Sequence, residues 1–458
     1  MRRAAIAAGV FAFVLVLLAL IAGLRALRQV ASPNLASLPS IGSPTAPAAP
    51  GLETRPASEA GEGFLYGRIT TVDGATYEGR LRWGRDEEAF WGDYFNGFKD
   101  ENRWEAVVPP ERLEESRPIE VLGFKLAERT SKVNLGRPFM ARFGDIAEIE
   151  ARGRDIRVTL KSGTVFDLDR FAADDLADGV RVWDGTHGVV DLSERQIRTI
   201  ELLPTPTPGV APYRLHGTVR TRQGEFTGFV QWNREQGVGT DTLDGRTPDG
   251  ELSLRFDTIG SIERDTRDSV VVRLFDGPEI VLADRHEVDR RNRGMYVDDP
   301  RYGRVLISWE VFERVDFTLG GSGPAYGDFP PGHAITGTVT TRAGDVLSGR
   351  LVYDLDESEI TETLDAPSAG VDYTIAFGLI ASIVPPGRGE DGIRGARVTL
   401  HSGEEVLLEP AGDLGDGNAG LLVFVDGRER PEYLPWADVW KLSFERPPAM
   451  YPRGPHGP

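Results

Sequence analysis

Gly67-Arg-Ile-Thr-Thr-Val-Asp-Gly74 returns as Gly217-Thr-Val-Arg-Thr-Arg-Gln-Gly224 and again as Gly337-Thr-Val-Thr-Thr-Arg-Ala-Gly344. Each copy alternates apolar and polar residues, the pattern of a half-buried strand, and each ends in a glycine suited to a hairpin turn. Four or five residues later stands another glycine (Gly79, Gly228, Gly349), and four beyond it an aromatic (Trp83, Trp232, Tyr353). A glycine inside a strand marks a bend or a close backbone approach. Further on come Phe143-Gly-Asp-Ile-Ala-Glu-Ile149, Phe256-Asp-Thr-Ile-Gly-Ser-Ile262 and Phe377-Gly-Leu-Ile-Ala-Ser-Ile383. A second unit follows in each copy, opening near Val158, Val272 and Val398 and closing near Ile197–Leu202, Phe312–Phe317 and Val439–Phe444. Self-similarity at this spacing is the signature of a repeat protein.

The chain therefore reads as all-β, with three tandem repeats at 63–202, 213–317 and 333–446. Leu203–Pro212 and Thr318–Gly332, rich in Pro and Gly, separate them. Helix is expected only in short pieces, over Arg170–Asp178 and Asp284–Arg293. The turn glycine, the bent second strand and the Ile-x-x-Ile type closing strand of each half-repeat resemble those of the small SH3-like and Sm-like β-barrels. The resemblance implies six small barrels, paired within three repeats. The RNA-binding residues of true Sm proteins have no counterpart here, so RNA binding is not implied. A six-bladed propeller also fits the strand count, but separators after every second unit favour paired barrels.

Ahead of the repeats, Ala4–Leu24 is an uncharged and mostly apolar run. A helix of that length spans roughly 31 Å, about one hydrocarbon core. The run is longer than a signal peptide's apolar region and lacks a clean cleavage site. Residues 1–32 thus read as a membrane anchor with the body outside the cytoplasm, and 33–62, rich in Pro and Ala, as a linker. The Arg-rich usage and the Ala, Pro and Gly bias suggest a high-GC bacterial genome, and with the anchor a bacterial envelope.

Of 458 residues, 52 are Lys or Arg and 71 Asp or Glu, a net charge of −19, with no cysteine. The charge opposes nucleic-acid binding, and the missing cysteine excludes disulfides and thiolate chemistry. The six histidines are scattered, and no nucleophile elbow or phosphate-binding loop is present. No catalytic residue, metal or small-molecule cofactor is indicated. Asp354-Leu-Asp356-Glu357 and the Asp413–Asn418 stretch are acidic, but neither fits a calcium loop.

The first repeat departs from its siblings. Where 11 residues separate Gly245 from Phe256 and Ala366 from Phe377, 46 separate Gly97 from Phe143, which defines an insert at 98–135. Trp91, Tyr94, Phe98 and Trp104 cluster beside it, and Arg117, Lys125, Arg129, Lys132, Arg137 and Arg142 follow. Aromatics and Arg dominate interface anchors. These ten residues are the candidate partner-binding surface, for a protein or an envelope polymer. The favoured function is binding or scaffolding without catalysis; the alternative is an envelope glycan-acting enzyme using acidic residues on a β scaffold.

Overall fold

In the first segment the hairpin glycine Gly74 sits at φ +88°, and in the third Gly344 sits at +94°, so a left-handed turn joins the opening strands. The computed structural model describes residues 61–447 except 85, 100, 110–113, 122–123, 133–137, 170–173, 207–212, 319–320 and 388–394, and without the side chains of 114–132 and 174. They belong to the second of two compact units, Pro56–Pro458, the first being Met1–Arg55. The expected span Ala4–Leu24 lies outside the described residues. Among those residues no helix is long and apolar enough to cross a membrane.

The body is all-β. The first segment contributes β1 (Tyr66–Thr71), β2 (Thr76–Trp83), β3 (Tyr94–Phe98), β4 (Glu114–Val121), β5 (Phe124–Lys132), β6 (Pro138–Arg142), β7 (Ile146–Arg152), β8 (Asp155–Leu160), β9 (Val165–Asp169), β10 (Val180–Asp184), β11 (Gly188–Leu192) and β12 (Ile197–Leu202). The second contributes β13 (His216–Thr221), β14 (Gly224–Gln231), β15 (Thr242–Thr247), β16 (Gly250–Arg255), β17 (Ile259–Arg264), β18 (Ser269–Leu274), β19 (Glu279–Ala283), β20 (Met295–Asp299), β21 (Gly303–Ile307) and β22 (Phe312–Thr318). The third contributes β23 (Thr336–Thr341), β24 (Val346–Val352), β25 (Thr363–Ser368), β26 (Val371–Ala376), β27 (Ile380–Val384), β28 (Ala396–Leu400), β29 (Glu405–Leu408), β30 (Leu421–Phe424), β31 (Glu432–Leu434) and β32 (Val439–Phe444).

Three large sheets result, ordered β11-β10-β2-β1-β12-β7-β8-β9, then β16-β15-β19-β18-β17-β22-β13-β14-β20-β21-β26-β25, then β29-β28-β27-β32-β23-β24-β30-β31. They are runs of eight or twelve strands, not the four-stranded blades of a propeller. The same antiparallel pairings recur: β1, β13 and β23 each lie between the second and the last strand of their segment. The second strands pair next with a strand from later in the segment: β2 with β10, β14 with β20 and β24 with β30. In each segment the second strand therefore pairs with a strand from that segment's other half, which a reading of half-repeats as separate barrels does not anticipate.

The mid-strand glycines explain that pairing. Gly67 faces Gly79, Gly217 faces Gly228 and Gly337 faces Gly349. A Cβ on Gly79, Gly228 or Gly349 would lie 2.0 Å from the carbonyl oxygen of Trp183, Asp298 or Phe424. The missing side chain lets the incoming strand cross against the backbone of the second one.

Alternating burial puts Ile69, Val219 and Val339 fully inside. The aligned Trp83, Trp232 and Tyr353 are likewise fully buried. One core serves the first segment, while the cores of the second and third merge into one. β21 pairs with β26 and so carries the third segment's β25–β26 pair into the second sheet. Among the described residues α-helix is reduced to a turn at Asp174–Ala177. Asp284–Arg293 forms turns instead of the expected helix: Asn292 Nδ2 donates to the Glu287 carbonyl and Asn292 Oδ1 accepts from Gly294, bonds that compete with helix.

Candidate functional site

The loop after each second strand is built the same way. Trp83, Trp232 and Tyr353 donate through their ring N–H or hydroxyl to the carbonyls of Asp175, Glu287 and Asp413, at 2.7–2.9 Å. The carboxylates of those three acids then accept the backbone N–H of Asn96, Asp244 and Asp365. Farther along the loop, Asp93, Asp241 and Glu362 each accept two successive backbone N–H groups. Charge-assisted bonds of this kind hold a loop that has no regular structure of its own.

In the third segment this loop gathers acids around a cavity of about 250 Å³ bordered by Lys99. Asp356 and Glu362 lie 2.7 and 3.1 Å from Lys99 Nζ. Burial works against the Lys99 charge, yet Glu362, Asp356 and Glu357 outweigh it and hold the ammonium above its ordinary range. Asp354 accepts the Ala419 N–H, and Asp365 accepts from the Thr374 hydroxyl at 2.5 Å. Glu357 differs: its Oε2 is sealed from solvent without a hydrogen-bond partner. Burial, then Asp356, Asp413 and Asp354, push its carboxyl well above the usual range. Glu87, at the same loop position in the first segment, is pushed up by burial and then by Asp175. The second segment has Gln236 there, and its amide donates to Glu287 at 3.1 Å.

Beside this cavity, between the first and third segments, opens a second one of about 480 Å³. Residues 101–109 belong to the first part of the insert, and Glu101–Trp104 line the cavity. They also cover part of the third segment: Val108 packs with Val352 and Leu422, and Trp104 meets Phe424 edge-on at 5.9 Å. Asn102 donates to the Leu355 carbonyl at 2.8 Å and Arg103 to Ser358 Oγ at 3.0 Å. Arg103 lies 5.0 Å from the centre of the Trp104 ring and Arg350 lies 5.4 Å from it.

The ten candidate residues separate into three groups. Trp91 and Tyr94 are 5% exposed and cannot anchor a partner. The separator expected to be a plain linker covers the cluster, with Phe329 6.3 Å from Trp91 and Tyr326 5.0 Å from Phe90. Arg304 caps the Tyr94 ring at 4.9 Å. Arg142 is buried too, 2.6 Å from Asp145 and over the Trp91 ring. These three residues belong to the core. Phe98 is half-buried within β3, and Trp104 is half-buried at the cleft. Arg117, Lys125, Arg129 and Lys132 sit on the β4–β5 hairpin, where Arg117 faces Arg129 and Lys132 faces Glu114. Their side chains, and Arg137 altogether, lie outside the described residues. The sequence reading missed Lys99, Arg103, Arg350 and Ser358. Only alignment of the three loops carries a signal for the last two.

Among the described residues no group of His, Asp and Glu has the arrangement of a metal centre. No protein family, characterised protein or solved structure matches the chain.

Proposed function

We propose that this is a membrane-anchored, extracytoplasmic scaffold of three tandem β-repeats that binds a partner at the cleft between the first and third of them. Each repeat is read as two small SH3-like units that exchange strands. One runs β11-β10-β2-β1-β12; the other runs β6-β3 and then β9-β8-β7, with a short 3-10 turn at Phe143–Asp145 before the closing strand. The second repeat supports this, because its β16-β15-β19-β18-β17 run is continuous. Ala4–Leu24 supplies the anchor.

The observation that carries the binding reading is the cleft itself. Only the first repeat has the insert, and residues 101–109 use it to place Arg103 and Trp104 against the third repeat. The acidic cavity next door supports the rival reading, a glycan-acting enzyme. Its acids other than Glu357, however, are engaged by backbone N–H groups, hydroxyls and Lys99, which argues for a structural role.

The test is capture of partners from detergent-solubilised membranes. Removing all of 98–135 would unpair Asp356 and Glu362 from Lys99, so that trim confounds binding with folding. Excising 114–132 alone is cleaner, because Glu114 and Lys132 are paired and a short turn can join their neighbours. Trp104→Ala with Arg103→Ala should abolish capture, and the hairpin trim should weaken it. Equal capture by all forms would sink the reading.

A further inference from the structure

Arg80 and Arg350 occupy the same place in the first and third segments. Arg80 is paired with Tyr66 and Arg350 with Thr336, one residue beyond the facing glycines. Each guanidinium covers an aromatic of the crossing strand, Trp183 at 4.0 Å and Phe424 at 3.8 Å. In the first segment Glu88 compensates the charge, 3.4 Å from Arg80. The matching residue in the third is Ser358. The match is fixed by the backbone: the Glu88 carbonyl accepts from Leu65 and that of Ser358 from Ile335, while both N–H groups go to the loop carboxylate. The second segment has Phe229 in place of the arginine and Gly237 in place of the acid. Where the cation is absent the acid is absent too.

The third segment breaks that rule twice. It keeps the cation and lacks the acid, and the insert then adds a second cation, Arg103, hydrogen-bonded to Ser358 itself. Among the described residues neither Arg103 nor Arg350 has a carboxylate at ion-pair distance. Glu359, the acid next to Ser358, accepts from the Ser162 and Thr164 hydroxyls, and Arg103 acts on it only from beyond ion-pair distance. Burial, and after it Arg103, push Arg350 below the ordinary guanidinium range. Two like charges about one indole ring repel each other unless an anion lies between them.

We propose that Arg103 and Arg350, both close to the Trp104 ring, receive a Glu or Asp side chain of a partner polypeptide, which takes the place held by Glu88 in the first segment. This inference rests on the binding reading above and names its ligand. An isolated carboxylate fits better than a polyanion, because the cleft wall sets Glu101, Asp155, Asp167 and Asp356 among its four cations, and the net charge of −19 repels a continuous negative polymer. Arg103 is exposed, so the cleft admits a side chain from outside.

The experiment titrates the full chain in detergent with a blocked peptide bearing one Glu, its Gln counterpart, and inorganic phosphate. Binding is read on the Arg Nε–H resonances of Arg103 and Arg350. The Glu peptide should shift both, and the Gln peptide neither. Ser358→Glu restores the internal counter-ion, so it should weaken the Glu peptide at least tenfold while leaving both arginines in place; Arg350→Met should weaken it as much. The inference is overturned by equal binding to wild type and both variants, by a response to the Gln peptide, by no response at millimolar Glu peptide, or by phosphate competing as strongly as the peptide. If Ser358→Glu still captures the same partners from membranes while Trp104→Ala with Arg103→Ala does not, the ligand assignment fails and the cleft reading stands.

Discussion

Glu357→Gln should stabilise the protein at neutral pH. The reasoning comes from the second segment, where Gln236 occupies the equivalent position and its amide donates to Glu287. To play the same part toward Asp413, Glu357 must keep its proton. Its pKa is raised well above the ordinary 4.5, with burial first and Asp356, Asp413 and Asp354 next, while Lys99 opposes. A carboxyl whose folded pKa is raised adds stability that is fully present below the unfolded pKa and is lost as pH rises toward the folded one. The loss is about 1.4 kcal/mol per pH unit while the folded state holds the proton and the unfolded state does not. Between pH 5 and pH 7 the wild type should therefore lose stability relative to Glu357→Gln, which holds no proton to lose, at up to that slope. Denaturant unfolding of both proteins across that interval measures the difference directly. Curves that run parallel, or a variant that grows relatively weaker with pH, would refute the argument that Glu357 stands in for a neutral donor.

Gly228→Ala places a Cβ 2.0 Å from the Asp298 carbonyl oxygen and must push β14 and β20 apart. A loss of about 1–3 kcal/mol is expected from chemical denaturation, and the same change at Gly74, whose Cβ would meet nothing within 4 Å, should lack that steric part. Lys99→Met leaves Asp356 and Glu362 buried without their cation, and should destabilise the fold by about 3–5 kcal/mol in the same assay. If Ala4–Leu24 anchors the chain, the intact protein stays with membranes through an alkaline carbonate wash and keeps Arg2 and Arg3; a soluble chain starting after about residue 20 would mean the segment is cleaved.

The strands and turns were legible because they are local. Alternation, turn glycines and the aligned Trp83, Trp232 and Tyr353 all depend on neighbours within one segment. Strand exchange was not legible, because the β10–β11 hairpin and the β3–β6 hairpin present similar edges, and sequence alone cannot choose which half each completes. The mid-strand glycines signalled a close approach without naming what approaches. At the site, counting aromatics could not tell an inward face from an outward one. Trp91 and Tyr94 are covered by Phe329 and Arg304, which arrive from distant parts of the chain. Trp104 was found because it belongs to the insert. Arg350 was missed because it sits in an ordinary strand, and only the replacement of Glu88 by Ser358 makes it unusual.

The central claim is that partners dock at the cleft between the first and third segments. Hydrogen–deuterium exchange of the full chain, with and without a captured partner, tests it most directly. The account predicts new protection at residues 101–109, at 355–359 and along β30–β31, with the β16 and β29 edges unchanged. Protection confined to those two edges, with 101–109 exchanging as in the free protein, would contradict it.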